Sequence, residues 1–344
     1  MTIRTILVTG GAGFIGSNFV RHVLAGHDYQ VINLDKLTYA GNLDNLRDVA
    51  DDKRHRFVQG DICDSELVGE LMTAADAVVN FAAETHVDRS IEDPGVFIQT
   101  DVYGTYVLLE AARRAGIERF LHISTDEVYG QSLGEQRFTE RDPFRPRSPY
   151  SASKAGGELQ CRAFFETYGL PVVIARPANN IGPRQHLEKA VPLFTANALD
   201  DQPLPVYGRG EQVRDRLYVD DHCEALDLLL HRGELGEAYN ISAGNERTNL
   251  EVAETVLELL EKPKSLIRFV EDRPGHDERY SMDDAKLRAL GWAPRHDFDA
   301  ALQKTVAWYR DNRWWWEKVK SGEYRDYYVR MYERRLAEAK PYES

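Results

Sequence analysis

The sequence contains 344 residues, of which 42% are hydrophobic and 29% are charged; this length allows two domains, and the composition excludes a disordered, collagen-like or membrane-embedded protein. Acidic residues number 56 and basic residues 43, so the formal net charge is −13. Because that charge repels a phosphate backbone and an anionic bilayer, we expect no nucleic-acid partner and no membrane partner.

Short apolar runs alternate with helical patterns over the first two-thirds of the chain. They predict strands at 6–8, 31–34, 77–81, 120–123 and 172–174, and helices at 15–25, 102–115 and 152–168. Strands that are apolar throughout are buried on both faces, and strands separated by helices form a parallel sheet. The predicted fold class is therefore α/β, a doubly wound Rossmann-type sheet followed by a smaller mixed domain. Its ligands should bind at the carboxyl ends of the strands.

The first predicted strand runs directly into a glycine-rich turn, TGGAGFIG at 9–16. Gly10 and Gly13 allow the main chain to approach a pyrophosphate, and Gly16 allows the helix to pack closely on the strand. The helix N-terminus then offers free N–H groups to the phosphates. Asp35 ends the second strand about 20 residues further on, the usual place for a carboxylate on the adenosine ribose. Such a carboxylate would repel a 2′-phosphate, so the pattern predicts NAD rather than NADP.

A tyrosine and a lysine lie four residues apart at the start of the third predicted helix. Tyr150 and Lys154 therefore share one helix face. We predict that the ammonium stabilises the phenolate, lowers the pKa of Tyr150 and lets it act as a general base. The strand before this helix ends in Ser124 and Thr125, which places hydroxyl groups at the same edge of the sheet.

The pattern of the sequence changes near Arg176. From there prolines interrupt the alternation of apolar runs and helical patterns, and charged loops such as 271–279 follow. We predict a dinucleotide-binding domain over 1–177 with a return of the chain at 217–243, a second domain mainly for the other ligand over 178–330, and a C-terminal tail over 331–344. The aromatic residues from Trp308 to Tyr342 have roughly helical spacing and predict a helix packed on the body of the protein.

Cys63, Cys161 and Cys223 are far apart and form no CxxC pair. This spacing excludes a disulfide framework and a thiolate zinc site, and no other metal site is predicted. The first apolar stretch is too short for a signal peptide. We therefore expect a cytoplasmic protein with reduced cysteines.

Three motifs together carry a family resemblance: TGGAGFIG at 9–16, STDEVYG at 124–130 and YSASK at 150–154. They are typical of the extended short-chain dehydrogenase/reductase superfamily, and within it the chain resembles the dTDP-glucose 4,6-dehydratases. The resemblance extends over nearly the whole length, through LDKLTYAGN (34–42), FAAETHVDRSI (81–91), NNIGPRQHLEK (179–189), LPVYGRGEQVRD (204–215), DRPGHDERY (272–280) and WWEKVKSGEY (315–324).

The resemblance implies NAD-dependent conversion of dTDP-α-D-glucose to dTDP-4-dehydro-6-deoxy-α-D-glucose. In this reaction C4 is oxidised, water is eliminated across C5 and C6, and the hydride returns to C6. The family's mechanism gives Tyr150 the O4 proton, Glu127 the C5 proton and Asp126 the protonation of the leaving C6 oxygen. Thr125 would steady the sugar near O4, and Lys154 would bind the nicotinamide ribose as well as tune Tyr150.

The resemblance also implies two sets of binding residues. The NAD contacts are Gly10, Gly13, Phe14, Ile15, Gly16, Asp35, Lys36, Leu37, Thr38, Asp61, Ile62, Phe81, Ala82, Ala83, Glu84, Thr85, Thr100, Tyr150, Lys154 and Asn180. The contacts to the nucleotide sugar are Thr85, Thr125, Asn179, Glu188, Lys189, Pro205, Val206, Tyr207, Arg214, Asn249, Asp272, Arg273, Pro274, Gly275 and His276. Lys189, Arg214, Arg273 and His276 would neutralise the diphosphate despite the negative net charge, and Tyr207 offers an aromatic face to the base.

Four positions depart from the family pattern: Asp101 replaces a usual Asn, Ile181 a Tyr, Ala190 a Leu and Arg216 a Trp. The last two affect the predicted nucleotide pocket, so dehydration of another nucleotide sugar such as UDP-glucose is an alternative, as is C4 epimerisation. A catalytically idle NAD-binding sensor is a further alternative, but a sensor has no use for the Asp126–Glu127 pair. Helices 102–115 and 152–168 are apolar on more than one face, and family members pair them in a four-helix bundle, so a homodimer is expected.

Overall fold

A seven-stranded parallel sheet forms the centre of the computed structural model, which describes residues 3–321 and 323–342. Residues 1 and 2 of the predicted first domain, Gly322 of the last motif and residues 343 and 344 of the predicted tail lie outside the described residues. Across the sheet the order is β3–β2–β1–β4–β5–β6–β10. The strands are β1 (Thr5–Thr9), β2 (Gln30–Asp35), β3 (His55–Gln59), β4 (Ala77–Asn80), β5 (Arg119–Ile123), β6 (Val172–Pro177) and β10 (Ala238–Ile241).

Helices cover both faces of this sheet, as a doubly wound fold requires. One face carries α1 (Phe14–Gly26) and α8 (Val219–Arg232), and the other carries α2 (Ser65–Met72), α5 (Thr105–Ala115) and α6 (Pro149–Tyr168). Side chains such as Phe19 and Leu226 on the first face, and Val68 and Phe164 on the second, close the two apolar layers. The five predicted strands and three predicted helices are confirmed.

Two differences from the predicted elements have physical reasons. Strand β3 was missed because it lies at the sheet edge and carries charged, partly exposed residues instead of an apolar run. The predicted helix 102–115 extends further towards its start. It is preceded by α3 (Val87–Glu92), α4 (Pro94–Phe97) and a π-helical segment at Ile98–Gly104 that contains Asp101.

The second half of the chain builds a smaller mixed layer. One sheet has the order β11–β9–β7 and the other β13–β12–β8, and each contains one parallel and one antiparallel pair. The predicted fold class is confirmed by this combination. The strands are β7 (Asn179–Ile181), β8 (Leu204–Tyr207), β9 (Val213–Tyr218), β11 (Glu246–Thr248), β12 (Ile267–Val270) and β13 (Lys340–Pro341). The helices are α7 (Ala190–Leu199), α9 (Asn249–Leu259), α10 (Ala285–Ala289), α11 (Phe298–Asp311), α12 (Arg313–Lys320) and α13 (Glu323–Ala337).

The aromatic C-terminal region packs on the body of the protein, as its spacing predicts. Trp315 and Trp316 on α12 are buried, and the Trp315 indole donates a hydrogen bond to Asn45 Oδ1 at 2.9 Å. Strand β10 returns to the large sheet beside β6, while the exact domain boundaries stay a prediction. Among the residues that the structure describes, no helix is both long enough and apolar enough to cross a bilayer.

Candidate active site

A cleft of about 370 Å³ opens at the carboxyl ends of the large sheet. The loops after β1, β2, β4, β5 and β6 form one wall, and residues of the smaller layer form the other. In a doubly wound fold ligands bind at this edge, because the loops and helix N-termini converge there.

The glycine-rich turn lies at the deep end of the cleft, against the end of β4. Gly10 has φ +68°, and a Cβ on it would lie 2.7 Å from the Ala82 nitrogen. A Cβ on Gly16 would lie 2.3 Å from the Gly10 carbonyl oxygen. Glycine is therefore required at both positions. Gly13 is the N-cap residue of α1, so the first N–H groups of that helix belong to the turn, in the manner of an anion site.

Asp35 ends β2 and holds the turn in place. Its Oδ2 accepts a hydrogen bond from the Ala12 nitrogen at 2.9 Å, and its Oδ1 accepts one from the Leu37 nitrogen at 2.8 Å. Burial raises the pKa of Asp35, and these two bonds oppose the rise. Beside it, Lys36 and Asp61 form an ion pair at 2.7 Å. This arrangement fits a dinucleotide, because it combines a glycine-rich turn, a helix N-terminus and a carboxylate at the end of the adjacent strand.

Two adjacent carboxyl groups follow β5 in a 3₁₀ turn, Asp126–Tyr129. The Thr125 hydroxyl donates to Asp126 Oδ1 at 3.1 Å and accepts from the Glu127 nitrogen at 3.3 Å. Burial, and after it the charge of Glu127, raises the pKa of Asp126 to about 8. Burial raises the pKa of Glu127 as well, but the nearby guanidinium groups of Arg273 and Arg214 oppose it. The pair can therefore present one protonated and one ionised carboxyl at neutral pH.

Tyr150 and Lys154 both line the cleft from the first turns of α6, which a Ser148–Ser151 capping box fixes at its start. Burial raises the pKa of Tyr150 well above its usual value, and the charge of Glu127 raises it further. The predicted lowering of this pKa is therefore wrong. The Lys154 ammonium uses one of its three N–H donors for the Ile123 carbonyl oxygen, at 2.7 Å.

Asp101 supplies the negative charge that faces Lys154. Burial raises the pKa of Asp101 to about 6, and Lys154 opposes the rise. Its Oδ2 accepts from the Ser153 hydroxyl at 2.5 Å, and its Oδ1 accepts from the Glu84 nitrogen at 3.0 Å. This departure from the family pattern thus places a carboxylate beneath the lysine of the YSASK motif.

The predicted basic residues meet on the opposite wall of the cleft. Lys189 donates to the Thr85 carbonyl oxygen at 2.6 Å, Arg214 to the Asp277 carbonyl oxygen at 2.8 Å, and Arg273 pairs with Asp88 at 3.2 Å. The prediction that His276 contributes a positive charge is wrong, because burial lowers its pKa to about 4.

Arg216 adds a further guanidinium to this wall. It is buried, its Nη2 donates to Asn249 Oδ1 at 2.7 Å, and its Nε has no hydrogen-bond partner. Asn179 Oδ1 and Ser124 Oγ are likewise buried without a partner on the lining of the cleft. Unsatisfied buried polar atoms are costly, so they indicate groups that a ligand satisfies.

The structure brings most of the predicted site residues together. Those that line the cleft are Gly10, Gly13, Phe14, Ile15, Gly16, Asp35, Lys36, Thr38, Asp61, Ile62, Phe81, Ala82, Ala83, Glu84, Thr85, Thr100, Thr125, Glu127, Tyr150, Lys154, Asn179, Asn180, Glu188, Lys189, Pro205, Tyr207, Arg214, Asn249, Arg273 and His276. Those that do not line it are Leu37, Asp126, Val206, Asp272, Pro274 and Gly275. Val206 is buried in the core of the smaller layer, and Asp272 acts through His276, to which its Oδ1 lies at 2.6 Å.

Several lining residues were not predicted as site residues, and His86, Asp88 and Tyr332 are among them. His86 and Asp88 lie within the FAAETHVDRSI segment, which carries part of the family resemblance, but the sequence indicated no chemical role for either residue. Asp88 accepts from the Tyr207 hydroxyl at 3.2 Å. Tyr332 comes from α13, in the predicted tail, and its only signal was the four-residue spacing of Tyr324, Tyr328 and Tyr332.

Comparisons with known proteins find nucleotide-sugar dehydratases among the relatives of this chain. The family model described as GDP-mannose 4,6 dehydratase matches residues 7–305. The low-salt glycan biosynthesis protein Agl12 of Haloferax volcanii is 54% identical over 304 residues, 88% of this chain and 98% of its own. A dTDP-glucose 4,6-dehydratase of Streptomyces niveus is 53% identical, over 92% of this chain and 96% of its own.

A solved structure agrees with these relatives. DesIV, a dTDP-glucose 4,6-dehydratase from Streptomyces venezuelae solved with NAD and TDP bound, superposes with a TM-score of 0.90 at 51% identity, over 92% of this chain and 100% of DesIV. The family resemblance derived from the motifs is confirmed. The chain therefore belongs to the dTDP-glucose 4,6-dehydratase family of nucleotide-sugar dehydratases.

Proposed function

We propose that this protein converts dTDP-α-D-glucose to dTDP-4-dehydro-6-deoxy-α-D-glucose with bound NAD. The observation that carries the proposal is the Asp126–Glu127 pair beside Tyr150, at the mouth of a dinucleotide turn. An oxidation alone needs only a tyrosine base, whereas elimination of water also needs a base at C5 and an acid at the C6 oxygen.

NAD would lie along the wall formed by the glycine-rich turn, with Asp35 on the adenosine ribose and Lys154 on the nicotinamide ribose. When bound, it supplies the acceptor for the C4 hydride and returns that hydride to C6. The tight approach of Gly10 and Gly16 to neighbouring main chain supports this placement, because a side chain at either position would clash with that main chain and displace the turn whose N–H groups a pyrophosphate needs.

Each catalytic side chain then handles one proton. Tyr150 takes the O4 proton as C4 is oxidised, because the positive nicotinamide ring of bound NAD would lower the phenol pKa that burial and Glu127 raise. The new ketone acidifies the C5 proton that Glu127 removes. Asp126, held protonated by burial, protonates the leaving C6 oxygen. The Thr125 hydroxyl lines the cleft and donates to Asp126 Oδ1 at 3.1 Å. To pass the proton on, this hydroxyl would turn, accept the Asp126 proton on its oxygen and give its own hydrogen to the leaving C6 oxygen.

The smaller layer would hold the nucleotide diphosphate. Lys189, Arg214 and Arg273 supply positive charge, and Tyr207 offers its ring to the base. We place the boundary between a cofactor domain and a nucleotide-sugar domain near residue 177, where β6 ends.

Substrate conversion tests the proposal directly. The purified protein is incubated separately with dTDP-glucose and UDP-glucose, without added reductant, and the product mass is measured. Loss of one water from dTDP-glucose is the expected result, and the Asp126→Asn/Glu127→Gln double variant should give none. A preference for UDP-glucose would show that UDP-glucose is the substrate and would indicate that Arg216 and Ala190 determine which nucleotide is bound. No loss of water from either would contradict dehydration and favour an epimerase or a sensor.

We also propose that the protein works in the cytoplasm as a homodimer, through a bundle of α5 and α6 from each subunit. Apolar side chains support this arrangement, because they lie exposed on these helices and on the segment that leads into α5. They are Ile98, Tyr103, Tyr106, Leu159 and Tyr168. Exposed apolar side chains collected on one helix pair are typical of an interface.

A further inference from the structure

A cluster of histidines gathers around one carboxylate at the far ends of α1 and α8, away from the cleft. The carboxylate is Asp227 on α8. His22 Nε2 lies 3.1 Å from its Oδ2, His27 Nε2 lies 2.9 Å from the same oxygen, and His231 Nδ1 lies 3.1 Å from its Oδ1. Since the four residues come from distant parts of the chain, no sequence motif indicates them.

The spacing of these atoms suits a metal ion. The ligand atoms of His27, Asp227 and His231 all lie within 4.8 Å of one another. A tetrahedral ion with bonds of about 2.0–2.1 Å needs neighbouring ligand atoms roughly 3.3 Å apart, so small side-chain shifts bring the group to coordination distance. His22 lies outside this group of atoms, and its Nε2, which is 3.1 Å from the same carboxylate oxygen, becomes a fourth ligand only after a side-chain shift. All four side chains are between 20% and 31% exposed, so an ion can reach them from solvent.

Neighbouring groups already orient the ligands. The His27 ring stacks on Tyr29 at 4.5 Å and on His231 at 5.2 Å between ring centroids. The Tyr29 hydroxyl lies 2.6 Å from His231 Nε2. A partner on the outer ring nitrogen fixes the tautomer that leaves the other nitrogen free for a metal. His231 Nδ1 now donates to the Asp227 carbonyl oxygen at 2.7 Å, so metal binding at Nδ1 would displace that hydrogen and leave Nε2–H to donate to the Tyr29 hydroxyl oxygen.

The location also favours a cation. α1 ends at Gly26 and α8 ends at Arg232, so the cluster occupies the last turns of both helices. The carboxyl ends of helices carry partial negative charge, and here two of them meet beside an aspartate. Imidazole and carboxylate ligands suit Zn²⁺, Ni²⁺ and Cu²⁺ rather than Mg²⁺ or Ca²⁺.

We propose that His22, His27, Asp227 and His231 form a binding site for one divalent transition-metal ion, Zn²⁺ in the first place, which ties the end of α1 to the end of α8. The site is separate from the cleft and independent of the proposed dehydratase function. The ion would stabilise the folded protein, because it binds a ligand set that exists only when the two helices are packed together.

Zinc titration of the full-length, tag-free protein after dialysis against a chelator tests the site. Calorimetry should show one Zn²⁺ per chain, and Zn²⁺ should raise the melting temperature. The His27→Gln/His231→Gln double variant should lose at least about tenfold in affinity and should lose the thermal shift. His55→Gln, a histidine on β3 outside the cluster, is the matched control and should bind as the wild type does.

Cobalt gives a second readout that does not depend on stability. Co²⁺ bound by this set should show the visible absorption of a tetrahedral nitrogen and oxygen site, and His27→Gln alone should reduce it. Absence of saturable Zn²⁺ binding to the wild type would overturn the proposal. Equal Zn²⁺ affinity in the wild type and the double variant would also overturn it. If the double variant does not fold, the same comparison is made between the wild type and His27→Gln.

Discussion

Asp126 and Glu127 show how adjacent residues of one chemical type acquire different properties. Both are buried, but Arg273 and Arg214 oppose the rise in the pKa of Glu127, whereas the charge of Glu127 itself adds to the rise in the pKa of Asp126. These charges favour the proton on Asp126, and they outweigh the Thr125 hydrogen bond and Arg214, which lower its pKa. An acid and a base can therefore coexist one peptide bond apart, which the elimination of water requires.

Asp126→Asn should make the protein more stable at neutral pH while abolishing turnover. The pKa of Asp126 is raised to about 8 in the folded state, against 3.8 for an ordinary Asp. Its contribution to folding is therefore fully present below about pH 4 and is lost as the pH rises through about 8. Asn stays neutral and keeps the bond to Thr125, so we expect a gain of about 4 kcal/mol at pH 7 and less than about 1 kcal/mol at pH 4.

Thermal unfolding of both proteins across this pH range measures the effect. Asp51→Asn, at an exposed carboxylate, serves as the control and should show no such widening with pH. A wild type that is as stable as Asp126→Asn at both ends of the range would mean that Asp126 is ionised in the folded protein.

Glu127→Gln and Tyr150→Phe should stop the reaction at different points. Without the carboxylate at position 127, C4 can still be oxidised but the C5 proton stays, so reduced nicotinamide should accumulate while product formation falls by about 10²–10⁴-fold. Without the phenol at position 150, the first oxidation fails and no reduced nicotinamide should appear. Stopped-flow absorbance of reduced nicotinamide distinguishes the two. Product at the wild-type rate from Glu127→Gln would remove it from the elimination step.

The sequence predicts well which residues line the cleft. It predicts less well whether those residues are protonated or charged in the folded protein. The glycine turn, Asp35, Tyr150 and Lys154 were found because their spacing is tied to a strand and a helix. The pKa of Tyr150 and the charge of His276 were predicted wrongly, because both depend on burial and on distant neighbours that no local pattern reveals. The His22–His27–Asp227–His231 cluster was invisible for the same reason.

At the scale of the element, α6 positions Tyr150 and Lys154 by close contact with its neighbours. A Cβ on Gly157 would lie 2.5 Å from the Asp101 carbonyl oxygen, so α6 touches the main chain of the π-helical segment Ile98–Gly104. That segment also presents the Asp101 side chain to Ser153. The three parts of the site, helix, segment and carboxylate, therefore form one packed unit.

Gly157→Ala should separate these elements and lower both stability and turnover. The added methyl group meets main chain that cannot rotate away, and overpacking of this kind costs about 1–3 kcal/mol. Gly69→Ala in α2 is the matched control, since its Cβ would meet no atom within 4 Å and Ala is the better helix former. Chemical denaturation should show a loss for Gly157→Ala and no loss for Gly69→Ala. Equal stability of Gly157→Ala and the wild type would show that the segment can move.

The central elements were predictable because each is apolar, regular and bounded by a turn. β1, β2, β4, β5 and β6 each form a short apolar run, and burial on both faces leaves few other residue choices. Elements at the margins were harder. β3 carries charged residues at the edge of the sheet, and the π-helical segment differs from an α-helix only in its hydrogen bonding, which the hydrophobic spacing does not report.

At the scale of the whole molecule, the C-terminal helices join the two layers, which under the proposed function would bind the cofactor and the nucleotide sugar. Trp315 on α12 bonds Asn45 of the large layer, while Tyr332 on α13 lines the cleft beside Tyr207. The C-terminal helices thus span both layers, so the tail is part of the wall of the site and not an appendage.

The helix pair α5 and α6 should hold two subunits together, and one charged residue should be enough to part them. Leu159 on α6 is 54% exposed and Tyr106 on α5 is 42% exposed, so the surface that they share is apolar in the single chain. An arginine at Leu159 would be buried without a partner in a four-helix bundle. Burying its charge would destabilise the dimer by several kcal/mol in each subunit.

Sedimentation should show a dimer for the wild type and a 39.2 kDa species for Leu159→Arg. Leu133→Arg is the matched control, because Leu133 is 67% exposed but lies in the loop before α6, and this variant should remain dimeric. A wild type that sediments only as a monomer at micromolar concentration, or a Leu159→Arg variant that stays dimeric, would show that these helices do not form the interface.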